Sequence, residues 1–232
     1  MTIMTRSTWL ALPLTLLMLA ASCGGDSSDV EPTSTDHQPQ TTATAVDPQA
    51  AAQTVEANSD PGLPGEFVDL PAIYGGPYGN RNGSNTNAHV SGPVDYSAQG
   101  LPPVGGPHWG SGSCGNEPEA APANCGPVPC GIYRAPWPAE SLVHNMEHAG
   151  VVVWYNSSDI DVRDRLENWV EDEGGSGKLV VMTPYPDIPA DTIALTAWSR
   201  RDAFPVSDLT ESRVKDFISK LSCRFDAENF CQ

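Results

Sequence analysis

ESLVHNMEHAGVVVWY, residues 140–155, is the stretch from which the rest of the chain can be read. Its first half carries His144 and His148 four positions apart, with Glu147 between them. Residues four apart on a helix share a face, so the spacing predicts a short helix beginning at Glu140 or Ser141, running through His148 and stopped by Gly150. Its second half, 151–155, is an unbroken apolar and mostly β-branched run. Such a run predicts a strand buried on both faces.

Downstream, Ser158 or Asp159 can cap a helix in which Val162, Leu166, Trp169 and Val170 form an apolar stripe, and Gly174-Gly175-Ser176-Gly177 stops it. Residues 178–183 (KLVVMT) and 192–198 (TIALTAW) read as two further strands, the first ended by Pro184-Tyr185-Pro186. A last helix is expected to open at Val206-Ser207-Asp208. Asp208 and Glu211 have capping-box spacing, and Val214, Phe217, Ile218 and Leu221 recur at helical intervals. The order strand-helix-strand-strand-helix predicts an α+β fold, a small mixed sheet with helices on one face.

Upstream, 63–138 is dense in Gly, Pro and Asn (GGPYGNRNGSNTN, LPPVGGPHWG, CGNEPEAAPANCGPVPCG) and predicts an irregular N-terminal half wrapped around that core. Short extended pieces are expected at 88–90 and 93–96. Residues 63–232 then form a single globular domain. Residues 23–62 are rich in Ser, Thr, Ala, Gln, Pro and Asp, too poor in apolar side chains to offset chain entropy, and read as a flexible tether. Residues 1–22 have the charged, apolar, small-residue layout of a signal peptide. Leu19-Ala20-Ala21-Ser22 before Cys23 resembles the bacterial lipobox, which makes Cys23 the lipidated, palmitate-bearing first residue of the mature chain. The expected location is extracytoplasmic, in the periplasm or at the cell surface, with the membrane as a partner through the lipid anchor.

Formal net charge is −17 over 232 residues, which argues against nucleic-acid binding. Besides Cys23 there are Cys114, Cys125, Cys130, Cys223 and Cys231. An exported chain can keep disulfides, and Cys223 with Cys231 is an economical pair. Two of the other three can form a second bridge and leave one thiol over.

The block Val143-His144-Asn145-Met146-Glu147-His148-Ala149-Gly150 resembles the signature of a bacterial domain-of-unknown-function family, number 3105. Matching blocks stand at His89-Val90, Asp95-Tyr96, 102–108 (PPVGGPH), 131–133 (GIY), 184–186 (PYP) and 194–198 (ALTAW), so the resemblance spans roughly residues 85–225. Two departures are visible. Val104-Gly105 stands where the family usually has Thr-Ser, and Ala149 stands where it has Gly. The resemblance implies a fold and a set of shared residues, not an activity.

Four of the five histidines, His89, His108, His144 and His148, fall in those blocks, and His37 lies in the tether. A pair at i, i+4 beside Glu147, with two more on Gly/Pro-rich loops, has the composition of a mononuclear site built from a helix end and loops. Imidazole suits copper and zinc. Glu147 is expected to be a ligand or to orient an imidazole, and Met146, Met182 and the odd thiol are soft groups that would favour copper. Two other readings stand beside this one. The histidines can be purely structural in a surface lipoprotein, or His144-x-x-Glu147-His148 can be the inverted zinc-peptidase motif with Glu147 as general base. The strand that follows at once, and Gly150, leave little helix for that motif.

Overall fold

In this computed structural model residues 59–75, 88–110, 126–226 and 231 are described. The readings for 1–22 and for most of 23–62, with Cys23, and those for Cys114 and Cys125, fall outside these residues. In chain order the elements are β1 (Glu66–Phe67), α1 (Leu70–Tyr74), β2 (His89–Val90), β3 (His108–Trp109), β4 (Gly131–Ile132), α2 (Ala139–Glu147) and β5 (Val151–Asn156). There follow α3 (Ile160–Gly175), β6 (Val180–Pro184), β7 (Thr192–Ala197), β8 (Arg200–Pro205) and α4 (Glu211–Leu221).

Six strands form one mixed sheet in the order β1-β8-β7-β5-β6-β4, and β2 pairs with β3 in a separate two-stranded ribbon. β5 is central, parallel to β6 and antiparallel to β7. Its alternate residues go to opposite cores. Val151, Val153 and Tyr155 pack with Val162, Leu166 and Val170 of α3 and with Val214, Phe217 and Ile218 of α4. Val152 and Trp154 pack with Leu142, Val143 and Met146 of α2 and with loop residues. Both faces of the strand are covered, which is why no polar residue interrupts it. The Trp154 indole N–H, fully buried, donates to Thr196 Oγ1 at 2.7 Å on the neighbouring strand.

The two helices of the strand-helix-strand-strand-helix core, α3 and α4, share one face of the sheet as expected, and α2 with the irregular segments covers the other. Two expectations change. The last helix begins at Glu211 with Thr210 as its cap, Oγ1 accepting from Arg213 N at 3.3 Å, while Val206–Asp208 is a separate 3-10 turn. Residues 93–96 form no strand, and His108–Trp109 takes the place of the second extended piece, beside β2. Asp159 does cap α3, its side chain accepting from Asp161 N at 2.8 Å.

The α2–β5 junction is tight. Ala149 sits at φ 64°, in the left-handed region. Gly150 N donates to Asn145 O at 2.8 Å, and a Cβ at Gly150 would lie 2.7 Å from that same oxygen. An L-residue in the left-handed region costs about 1–2 kcal/mol, while a glycine there adds about 0.4–1 kcal/mol of unfolded-chain freedom. Ala149→Gly should therefore raise stability by roughly 0.5–1 kcal/mol in a urea titration; a lower midpoint at unchanged slope would show that the Ala methyl makes a compensating contact.

Cys223 and Cys231 are disulfide-bonded, with Cα atoms 5.7 Å apart. Cys223 and Asp226 lie against the α2–β5 junction: Cys223 N donates to Ala149 O at 2.9 Å, and Asp226 forms a bridge with His148. Among the described residues no helix is long and apolar enough to cross a membrane.

Candidate metal centre

Helix α2 is the hub on which the loops are hung. Residues 140–147 are all buried, polar ones included, so each polar side chain must find a partner. Glu140 Oε1 accepts from Val94 N at 2.9 Å. Asn145 clamps Val128, donating to its carbonyl at 2.7 Å and accepting from its N–H at 2.8 Å. His144 Nδ1 bonds Trp109 O at 2.6 Å. These contacts bring β3 and the segments on either side of it onto one flank of the helix.

The ribbon then delivers two more imidazoles. β2 and β3 run parallel with His89 opposite His108. His108 Nδ1 bonds Gly106 O at 2.8 Å, across a turn in which Gly106 has φ 106°. A side chain at Gly106 would meet the Tyr74 ring at 2.7 Å, and one at Gly110 would meet the His89 ring at 2.8 Å. Glycine at both positions therefore lets backbone and imidazole close up.

The result is a convergent group. Glu147 Oε2 lies 2.8 Å from His108 Nε2, 3.3 Å from His89 Nε2 and 3.9 Å from His144 Nε2. The three rings form a triangle with centroids 4.9, 5.2 and 5.0 Å apart. Taking one ligand atom from each of His89, His108, His144 and Glu147, all four lie within 4.8 Å of one another. His108 and Glu147 are fully buried, His144 nearly so, and the His89 side chain is 31% exposed on the outer lip.

Protonation follows from the partners. A carbonyl oxygen can only accept, so His108 and His144 each carry a proton on Nδ1, which leaves Nε2 of His108 beside Glu147 and Nε2 of His144 between Glu147 and His148. Burial alone would raise the Glu147 carboxyl. The His108 hydrogen bond and the charges of His108, His144 and His89 outweigh it and hold the carboxyl at about 2. Burial, then His108 and His148, push the His144 imidazole down to about 3 against the pull of Glu147 and Trp109. A carboxylate and an imidazole lone pair 2.8 Å apart are two acceptors, and they stay together only around a positive charge, a proton or a metal ion.

His148, the other half of the i, i+4 pair, is the C-cap of α2. Its Nε2 lies 3.1 Å from His144 Nε2, with the rings nearly perpendicular, and it is outside the convergent group. Met146 and Met182 are fully buried in the two separate cores, and Cys130 is an exposed thiol. None of these sulfur atoms belongs to the group. Glu147 stands among the ligand atoms rather than behind them, and α2 ends at Glu147, so the arrangement departs from the inverted-peptidase pattern, in which both histidines bind and the glutamate is held back as base.

A family described as Protein of unknown function (DUF3105) matches residues 89–229. The chain belongs to this family. The DUF3105 match begins at His89 and takes in every member of the convergent group, together with His148. No curated protein and no solved structure matches the chain. The DUF3105 description carries no activity, so chemistry must be argued from the geometry.

Several supporting residues escaped the sequence reading: Trp109 and Gly106 through their carbonyls, Gly110 through its missing side chain, and Asn145 as the loop clamp. The one signal for them was the glycine pair before Pro107-His108 and the single glycine after Trp109.

Proposed function

We propose that this DUF3105 protein binds one transition-metal ion, zinc or copper(II), through His89, His108, His144 and Glu147. The observation that carries the reading is the meeting of three imidazole Nε2 atoms and one carboxylate oxygen, with the Nδ1 protons of His108 and His144 already committed to backbone carbonyls. Metal-ligating histidines are oriented in just this way, the second ring nitrogen donating to a carbonyl or carboxylate. Three nitrogens and one oxygen suit zinc or copper(II), a harder cation would ask for more oxygen, and copper(I) would ask for sulfur. Anionic Glu147 and neutral His144 are in the states that metal ligands need.

The protein would do this outside the cytoplasm, held to a membrane by lipid on Cys23, as a metal-handling or metal-stabilised envelope module. The signal-like 1–22 segment, the small-residue block before Cys23 and the Cys223–Cys231 disulfide support that placement. One experiment addresses both parts. Protein extracted from its own envelope and examined intact by native mass spectrometry should carry an acyl modification at Cys23 and one metal ion. A chain with no retained metal, even after refolding with Zn(II) or Cu(II), would overturn the metal reading, and an unmodified Cys23 would overturn the anchor.

A further inference from the structure

We infer that His148 is the exchange ligand of this centre, holding an ion in transit beside His144 without being one of its resident donors. The inference rests on the metal reading above. His148 Nε2 is 3.1 Å from His144 Nε2. Two nitrogens bound to one ion at about 2.0–2.1 Å in tetrahedral geometry lie roughly 3.3 Å apart, so a single ion fits between this pair with little movement. His144 belongs to the convergent group and His148 does not. An ion shared by the two is thus one ligand exchange away from the pocket formed by Glu147, His108 and His89.

Position supports the role. His108, His144 and Glu147 are buried, whereas His148 is half-buried and lines a cavity of about 230 Å³ with Val128, Pro129, Asn145, Leu179 and Val181. The cavity walls are mostly apolar, and both polar ends of the Asn145 side chain are engaged by Val128. The backbone of His148 is fixed, its N–H donating to His144 O at 3.1 Å and its strand bridge running to Asp226.

Metal leaves a buried multidentate site slowly because a bare ion cannot be released, and a donor that binds before the last ligand lets go removes that barrier. His89 also reaches the outer surface, but its Nε2 is directed at Glu147 Oε2 at 3.3 Å, which makes it a resident donor. The two histidines should therefore fail differently when replaced. His89→Gln should weaken equilibrium binding. His148→Gln should leave one equivalent bound with nearly the wild-type affinity, while slowing both loading and release.

The test uses the full chain loaded with Zn(II), a chromophoric chelator to follow release, and the same indicator in reverse to follow loading. His148→Gln is expected to slow both by about tenfold, as loss of one transition-state contact does, and added free imidazole should restore the rate by supplying the missing donor. Unchanged rates would overturn the inference. So would a fall in stoichiometry as large as that of His108→Ala, which would make His148 a resident ligand, or slowed rates that imidazole does not rescue, which would indicate a distorted fold. Absence of zinc from the wild-type chain is a separate outcome: it removes the metal reading itself and this inference with it.

Discussion

Zinc added to the metal-free full-length protein should raise its thermal midpoint by roughly 8–16 °C, and a chelator should reverse the shift. The size follows from linkage: free metal at a thousandfold excess over Kd adds about 4 kcal/mol to folding, and for a domain of this size each kcal/mol is worth about 2–4 °C. The direction follows from where the ligands sit. His89 and His108 lie on the β2–β3 ribbon and His144 and Glu147 on α2, so one ion would tie the irregular half of the chain to the helix that covers the sheet. Without a metal, only a proton holds the Glu147 carboxylate and the His108 imidazole together inside the buried cluster. His108→Ala combined with His144→Ala should abolish the shift. A wild-type midpoint indifferent to zinc, copper(II) and chelator would leave the histidines as loop-holding side chains and nothing more.

The sheet core was legible because its periodicities are strong. The run at 151–155, the stripes of α3 and α4 and the strands β6 and β7 each announce a buried face. β8 did not, because it opens with Arg200-Arg201-Asp202 and looks like surface. Arg200 is in fact buried, its guanidinium donating to the carbonyls of Leu63, Pro64 and Gly65 at 2.6, 3.1 and 2.6 Å. A buried arginine is acceptable only when such partners exist, and these come from a segment about 135 positions earlier that no local pattern could supply. β1 and β4 have two residues each, too short for any periodicity.

The site was half legible for a related reason. Spacing showed that His144, Glu147 and His148 crowd one helix end, but not which flank the loops would approach. The Trp109 carbonyl takes His144 Nδ1 and the ribbon arrives beside Glu147, three residues from His144, so the i, i+3 pair faces inward. His148, at i+4, caps the helix and looks towards the cavity beside Val128. The chance of a second strong donor pair was visible in the sequence; its division into an inner and an outer imidazole belongs to tertiary packing. The placement of α2 on the face opposite α3 and α4 had the same origin, since an almost wholly buried helix leaves no polar stripe to say which way it turns.

Glu147→Gln should separate the metal reading from a structural one by the sign of its effect on the metal-free protein. If Glu147 and His108 were a structural ion pair, removing the carboxylate would leave a buried imidazolium without its partner and cost about 3–5 kcal/mol. If instead the carboxylate is a metal ligand, the proton that joins it to His108 in the metal-free protein is dispensable: the glutamine amide can turn its N–H2 towards His108 Nε2, 2.8 Å away, and keep a hydrogen bond there without a buried charge pair. The metal-free variant should then melt at or above metal-free wild type. Its zinc response should shrink, because the one anionic donor is gone and an N–H points at the metal position; a loss of about a hundredfold in affinity corresponds to about 2.7 kcal/mol. Calorimetry of both proteins, each with and without zinc, gives the four midpoints needed. A lower metal-free midpoint together with an intact zinc response would contradict the assignment of Glu147 as a ligand, because a side chain that stabilises the empty fold and is dispensable to the ion is a strut.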